Sequence, residues 1–168
     1  GTDRVNAVML AGGSAYGLAA ADGAMRWLEE HGIGYPTPAA LVPIVPAAIA
    51  YDLAEGDAAA RPTAESGYAA CDAAREGLPE RGRVGAGTGT AAGKVLGRGA
   101  ATPSGVGYAA ERGGFGSLVT VLAVANPFGD VLGEDGSVLA GPRADGAPRT
   151  VDFIAALERA PTDEELAA

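Results

Sequence analysis

Val84-Gly85-Ala86-Gly87-Thr88-Gly89-Thr90-Ala91-Ala92-Gly93-Lys94-Val95 is the stretch on which the reading of this chain turns. Four glycines and two threonines fall in the ten residues from Gly85 to Lys94. Lys94 is the only lysine among twelve basic residues, the rest being Arg. Glycine permits positive φ and close backbone approach. A lysine ammonium is a compact charge whose pKa moves when it is buried. The run therefore reads as a candidate active-site segment. It also invites a phosphate-loop reading, but the fixed positions disagree. A Walker loop would need glycine where Thr88 stands and a magnesium-binding hydroxyl where Val95 stands. The plain alternative is a flexible surface loop carrying a solvated lysine.

Outward from that run, composition narrows the classes. The chain has 168 residues and reads as one domain over 1–168. Hydrophobic residues make up 48% and aromatics only 5%, so the core must be built from Ala, Val, Leu and Ile. Its 27 glycines have no collagen-like period and cluster in a few loops. The net charge of −9 disfavours a nucleic-acid partner. No apolar run is long enough to span a bilayer, and no basic amphipathic segment suggests a membrane surface. One cysteine excludes an internal disulfide and suits a cytoplasmic location.

Residues 4–10 read as a buried strand, followed by a glycine turn and a helix from about Ser14 to His31. Leu18, Ala21, Met25 and Leu28 mark the expected apolar face of that helix. His31 and Gly32 close it. The strand–turn–helix order is weakly dinucleotide-like, but Gly12-Gly13-Ser14-Ala15-Tyr16-Gly17 departs from the required glycine spacing. Residues 34–46 are a Pro-rich connection, and 47–53 read as a strand. Thr63 caps a second helix expected to run to about Gly77. Val106, Tyr108 and Ala110 alternate weakly. Residues 117–125 form the strongest strand, apolar on both faces and so expected to be central and covered on both sides. Asp130–Leu132 and Ser137–Ala140 flank a hairpin turn. Residues 151–159 read as a short helix and 160–168 as an acidic tail.

Few side chains remain for chemistry. His31 is the only histidine and sits where a helix ends, so no Ser-His-Asp or Cys-His arrangement is available. Cys71 lies mid-helix among alanines and reads as a small core residue. The acids are scattered, so no metal site is expected, and nothing calls for a cofactor. Tyr51 and Asn126 each lie at or just past a strand, where rigid scaffolds often present catalytic groups. Tyr51 reads equally well as a core ring with its hydroxyl at the edge, and Asn126 as an Asn-Pro turn starter. An enzyme so built needs a base other than His, such as the α-amine of an N-terminal Ser or Thr nucleophile.

The order of motifs is recognisable. Val8-Met9-Leu10-Ala11-Gly12-Gly13-Ser14-Ala15-Tyr16-Gly17-Leu18, Val42-Pro43-Ile44-Val45-Pro46-Ala47, Tyr51-Asp52-Leu53, Gly85-Ala86-Gly87-Thr88-Gly89 with Gly93-Lys94, and Ala123-Val124-Ala125-Asn126 resemble the DmpA-type aminopeptidases. That family includes L-aminopeptidase/D-esterases, β-peptidyl aminopeptidases and the nylon-oligomer endohydrolase. The resemblance runs from about Asn6 to Gly141. It implies an α+β fold, the αββα four-layer sandwich shared with ornithine acetyltransferase, here present in part.

The resemblance further implies a precursor that cuts itself into α and β chains, with the new N-terminal Ser or Thr of the β chain as nucleophile. This chain then matches an α-subunit portion, its acidic tail preceding the cleavage point, and alone it should be inactive. Matched by position, Lys94, Asn126 and Tyr51 are the implied catalytic residues. Asn126 would donate to the oxyanion, Lys94 would assist the nucleophile by its charge or by proton transfer, and Tyr51 would hydrogen-bond near nucleophile or substrate. Gly87, Thr88 and Gly89 are the candidate substrate-binding positions. The implied partners are the β chain, further αβ units in a homo-oligomer and a small amide or peptide substrate. An acyltransferase of the same fold, a non-catalytic fragment and a nucleotide-binding protein remain as alternatives.

Overall fold

A computed structural model describes residues 2–144 together with 147 and 148, and the expected helix at 151–159 and tail at 160–168 lie outside these. The chain divides into two units, with the boundary after Pro79.

In the first unit, strand β1 (Met9–Ala11) leads through a helical turn at Ser14–Leu18 into helix α1 (Ala19–Glu30). Two short strands follow, β2 (Tyr35–Pro36) and β3 (Leu41–Val42), then β4 (Ala47–Ile49) and helix α2 (Ala64–Asp72). β1 and β4 pair in parallel, with Met9 opposite Ala47 and Ala11 opposite Ile49. β2 and β3 form a small antiparallel ladder from the Pro-rich connection.

The helix expected from Ser14 starts as a tighter turn because Gly13 is left-handed at φ 80° and Ser14 itself has φ 55°. The α-helical geometry begins only at Ala19. His31 does end the helix, and Gly32, at φ 68°, donates its N–H to the Glu29 carbonyl. α2 opens as expected on Thr63, whose hydroxyl accepts from the Ser66 N–H while Ser66 Oγ accepts from the Thr63 N–H. It stops at Asp72, short of the expected Gly77.

The buried face of α1 also differs from the expected one. Leu18 and Met25 are exposed, whereas Ala20, Gly23, Ala24 and Leu28 are buried. The reason is the close packing of α1 on α2. A Cβ on Gly23 would collide with the Ala64 carbonyl, and one on Gly67 with the Ala20 carbonyl. Small residues therefore select the contact face, because backbone approach outweighs side-chain hydrophobicity here. Gly67→Ala is expected to cost about 1–3 kcal/mol through overpacking, read as a lowered Tm in thermal unfolding. An unchanged Tm would contradict this packing.

The second unit begins with a helical turn at Gly85–Gly87 and strand β5 (Ala91–Ala92). Two further helical turns, Lys94–Leu96 and Arg98–Ala100, lead to β6 (Thr102–Pro103). Strands β7 (Val106–Arg112) and β8 (Leu118–Val124) form the longest ladder, antiparallel from Val106 opposite Val124 to Arg112 opposite Leu118. β9 (Val131–Leu132) and β10 (Val138–Ala140) make the expected hairpin. β11 (Arg143–Ala144) and β12 (Ala147–Pro148) make another. The described residues thus form a mixed helix-and-strand structure.

β8 is a strand, as its sequence indicates, but it is not covered. Among the described residues it pairs with β7 alone, and Leu118, Val119, Val121 and Leu122 are each more than half exposed. Apolarity on both faces reports what a strand needs to bury, and these side chains stand largely exposed. The small core of this unit lies instead at β5 and β6, where Thr90, Ala91, Ala92, Thr102 and Pro142 are buried.

Candidate functional site

Lys94 owes its place to β5 and to Gly93. Ala91 and Ala92 are buried and pair with Pro103 and Thr102 of β6. Gly93 then turns the chain at φ 76°, and a Cβ there would collide with the Gly141–Pro142 backbone. Only glycine meets both conditions. The Gly93 N–H donates to the Gly129 carbonyl at 2.8 Å, which ties the turn to the segment after β8.

The Lys94 side chain folds back over this turn into a ring of oxygens. Nζ lies 2.6 Å from Ala91 O, 3.0 Å from Asn126 O, 2.8 Å from Asn126 Oδ1 and 2.9 Å from Pro127 O. Three ammonium protons thus face four acceptors. Burial lowers the Lys94 pKa from the ordinary lysine value, and the Arg98 guanidinium adds a smaller push in the same direction. The four oxygens are the counterweight a partly buried ammonium requires. The picture of a solvated loop lysine does not survive this geometry.

Asn126 is the other half of the arrangement. It lies two residues beyond β8 and precedes Pro127, which favours an extended backbone at that point. Its Oδ1 accepts from Lys94 Nζ and, at 3.2 Å, from the Ala91 N–H. Both partners can only donate, so they settle which end of the amide is oxygen. The Nδ2 hydrogens consequently project on the opposite side, away from the lysine. Lys94 and Asn126, 32 residues apart, are thus one hydrogen-bonded constellation.

The glycine run contributes backbone order beside it. Gly87 is buried, and its carbonyl accepts from both the Thr90 N–H and Thr90 Oγ1. Gly89 is buried as well. Thr88 is exposed, with its hydroxyl donating to Gly85 O at 2.8 Å and its carbonyl accepting from Arg83 Nε at 2.9 Å. Gly87 and Thr88 therefore belong to a hydrogen-bonded turn rather than to a floppy loop.

Tyr51 belongs to the first unit, just past β4, and its ring is exposed, so it is not the core ring that one reading allowed. Its neighbours are firmly held. The Ala50 N–H donates to Ala11 O, the Ser14 N–H donates to Ala50 O, and the Asp52 carboxylate accepts from the Gly13 N–H at 2.6 Å. A Cβ on Gly12 would collide with that carboxylate, which explains why two glycines meet Asp52.

Sequence reasoning missed three side chains that order these sites, namely Asp52, Thr90 and Ser104. Thr90 is only 1% exposed, a polar residue in the centre of the unit. Its position directly before β5, inside the glycine run, was the available signal. Ser104 gave none, because it lies in an ordinary Pro-Ser-Gly stretch.

Other candidates stand apart from this chemistry. His31 stacks on Trp27, and its Nδ1 lies 2.7 Å from the Trp27 carbonyl, as suits a helix end. Cys71 is half-buried rather than a core residue, and burial raises its pKa. Among the described residues no group of His, Cys, Asp and Glu is arranged to hold a metal ion. None of their helices is long and apolar enough to cross a membrane. The first unit also carries an open groove of about 390 Å³ between α1 and residues 40–43, lined by none of the candidate site residues.

The model of peptidase family S58 matches residues 2–144. An uncharacterised aminopeptidase of Mycobacterium leprae is 44% identical over 97% of this chain and 43% of its own length. An uncharacterised aminopeptidase of Mycobacterium tuberculosis is 45% identical over 98% of this chain and 43% of its own length. A 6-aminohexanoate-oligomer endohydrolase of Agromyces is 37% identical over 84% of this chain and 39% of its own length. The chain thus spans less than half the length of these curated relatives.

Proposed function

The chain belongs to peptidase family S58, and from that premise we propose that it is the α-subunit portion of an amide or peptide hydrolase of the N-terminal-nucleophile type. The nucleophile is a Ser or Thr at the start of a β chain cut from the same precursor. The substrates are small peptides, amino-acid amides or non-natural oligoamides. The names of the relatives, aminopeptidase and oligomer endohydrolase, support an amide bond as the target. The complete protein adopts the αββα sandwich, in which the exposed apolar β7–β8 ladder gains its cover. Several αβ units assemble into the working oligomer.

The observation that carries this reading is the Lys94–Asn126 constellation. In the proposed reaction the nucleophile's own α-amine takes the hydroxyl proton, and the oxygen attacks the amide carbon. The carbonyl oxygen becomes an oxyanion and accepts from Asn126 Nδ2, a donor whose direction is fixed before the substrate arrives. Collapse breaks the C–N bond, and the leaving amine takes the proton held by the α-amine. Water then hydrolyses the resulting ester and restores the hydroxyl. Lys94 acts by its charge, since its protons are engaged by protein oxygens. It orients the Asn126 amide and makes the site more favourable to developing negative charge. Tyr51 hydrogen-bonds the nucleophile or substrate, and the Gly87-Thr88-Gly89 backbone lies against the substrate.

The protein expressed from its complete coding sequence should release amine from amino-acid amides or 6-aminohexanoate oligomers faster than it moves an acetyl group onto an amino acid. Acetyl transfer without hydrolysis would instead favour the acyltransferase of the same fold.

A further inference from the structure

Asn126 can direct its amide only if the backbone carrying it is fixed, and the residues that fix it lie between β6 and β7. Ser104 Oγ makes a short hydrogen bond to the carbonyl oxygen of Ala125, the residue directly before Asn126. The same hydroxyl lies 3.1 Å from Thr90 Oγ1, and Thr90 directly precedes Ala91. Backbone bonds repeat both ties, since the Ser104 N–H donates to Thr90 O at 3.0 Å and the Ala125 N–H donates to Gly105 O at 2.9 Å. Each hydroxyl has a single proton, so with that of Ser104 on Ala125 O, the buried Thr90 hydroxyl shares its own between Ser104 Oγ and Gly87 O at 3.0 Å.

The two strand ends that Ser104 joins are the ones that hold the constellation. Ala91 supplies the N–H that Asn126 Oδ1 accepts and a carbonyl that Lys94 Nζ reaches. Asn126 and Pro127 supply the remaining three acceptors. Ser104 itself touches neither Lys94 nor the Asn126 side chain in any of these bonds.

We propose that Ser104, working through the buried Thr90 hydroxyl and the Ala125 carbonyl, is a positioning residue that sets the spacing between the Ala91 and Asn126 backbones and so aims the Asn126 amide. This rests on the hydrolase reading above. A misplacement of the order of 1 Å costs catalysis up to about 10²-fold without touching the reacting atoms. Loss of the Ser104 hydroxyl therefore lowers kcat and leaves substrate binding in place.

The test uses the complete protein, with Ser104→Ala, Ser104→Cys and Ser104→Thr assayed on an amino-acid amide beside Lys94→Ala. Cysteine keeps the size of serine with a much weaker donor, and threonine keeps the hydroxyl. The expected result is a kcat reduced about 10-fold or more in Ser104→Ala and Ser104→Cys, KM within about 2-fold of the parent, and recovery in Ser104→Thr. If Ser104→Ala fails to fold, Ser104→Cys decides. Parental kcat in Ser104→Cys, or a loss confined to KM, overturns the positioning role. Full activity in Lys94→Ala would instead overturn the hydrolase reading of the site, so the two failures are told apart.

Discussion

Lys94→Ala, introduced into the complete protein, is expected to abolish amide turnover, with kcat falling by at least roughly 10³-fold, the upper end for loss of one preorganised donor. The expectation exceeds that of an ordinary single contact because one ammonium serves four oxygens at once. Without it, Asn126 Oδ1 loses its 2.8 Å charged partner, which weakens the hold on the direction of the amide. The carbonyls of Ala91, Asn126 and Pro127 lose a charged partner together. Self-cleavage should fail in the same variant, since in the proposed reaction the precursor is cut by acyl transfer at the same nucleophile. Steady-state kinetics and gel analysis of the precursor check both parts. Parental turnover would remove Lys94 from the site.

Asn126→Ala should lower kcat by roughly 10²–10³-fold with KM little changed, as expected for one oxyanion donor that binds mainly in the transition state. Asn126→Asp separates the two ends of this side chain. A carboxylate keeps an oxygen for Lys94 and the Ala91 N–H, so Tm should hold. It replaces the Nδ2 donor with a negative oxygen facing the oxyanion, so kcat should fall at least as far as in the alanine variant. A normal kcat in Asn126→Asp, or an effect on KM alone, would show that the amide is a structural tie and not a catalytic donor.

How far the sequence carried this account depends on the length scale of each feature. Local signals held. Thr63 caps α2, His31 and Gly32 end α1, and the Asp-Gly turn near residue 135 makes a hairpin. These depend on neighbours within a few positions, so they are written where they act. The α1 contact face differs from the expected one because hydrophobic periodicity favours Leu18 and Met25, while the packing is decided by the close approach of Gly23 to a carbonyl more than forty residues away, where a Cβ would collide. The expected cover of β8 is not found among the described residues for a related reason, since an apolar strand states a demand for burial but not what meets it.

The site divides in the same way. A single lysine after a glycine run, and an asparagine beyond the strongest strand, stood out by type and place. Their hydrogen bond across 32 residues was not visible in either segment. Gly93 could be read as a turn, but its closeness to Pro142 could not. Thr90 and Ser104 are common residues in common surroundings, and only the folded chain shows their hydroxyls against each other and against Ala125.

In the proposed reaction Lys94 and Asn126 serve a nucleophile created when the precursor is cut. Intact mass spectrometry of the protein expressed from its complete coding sequence, in active preparations, tests this most directly. Two chains are expected, their masses summing to that of the precursor plus one water and the second beginning with Ser or Thr, with a single uncut chain for Lys94→Ala. A parent protein that hydrolyses amides as one uncut chain would contradict it.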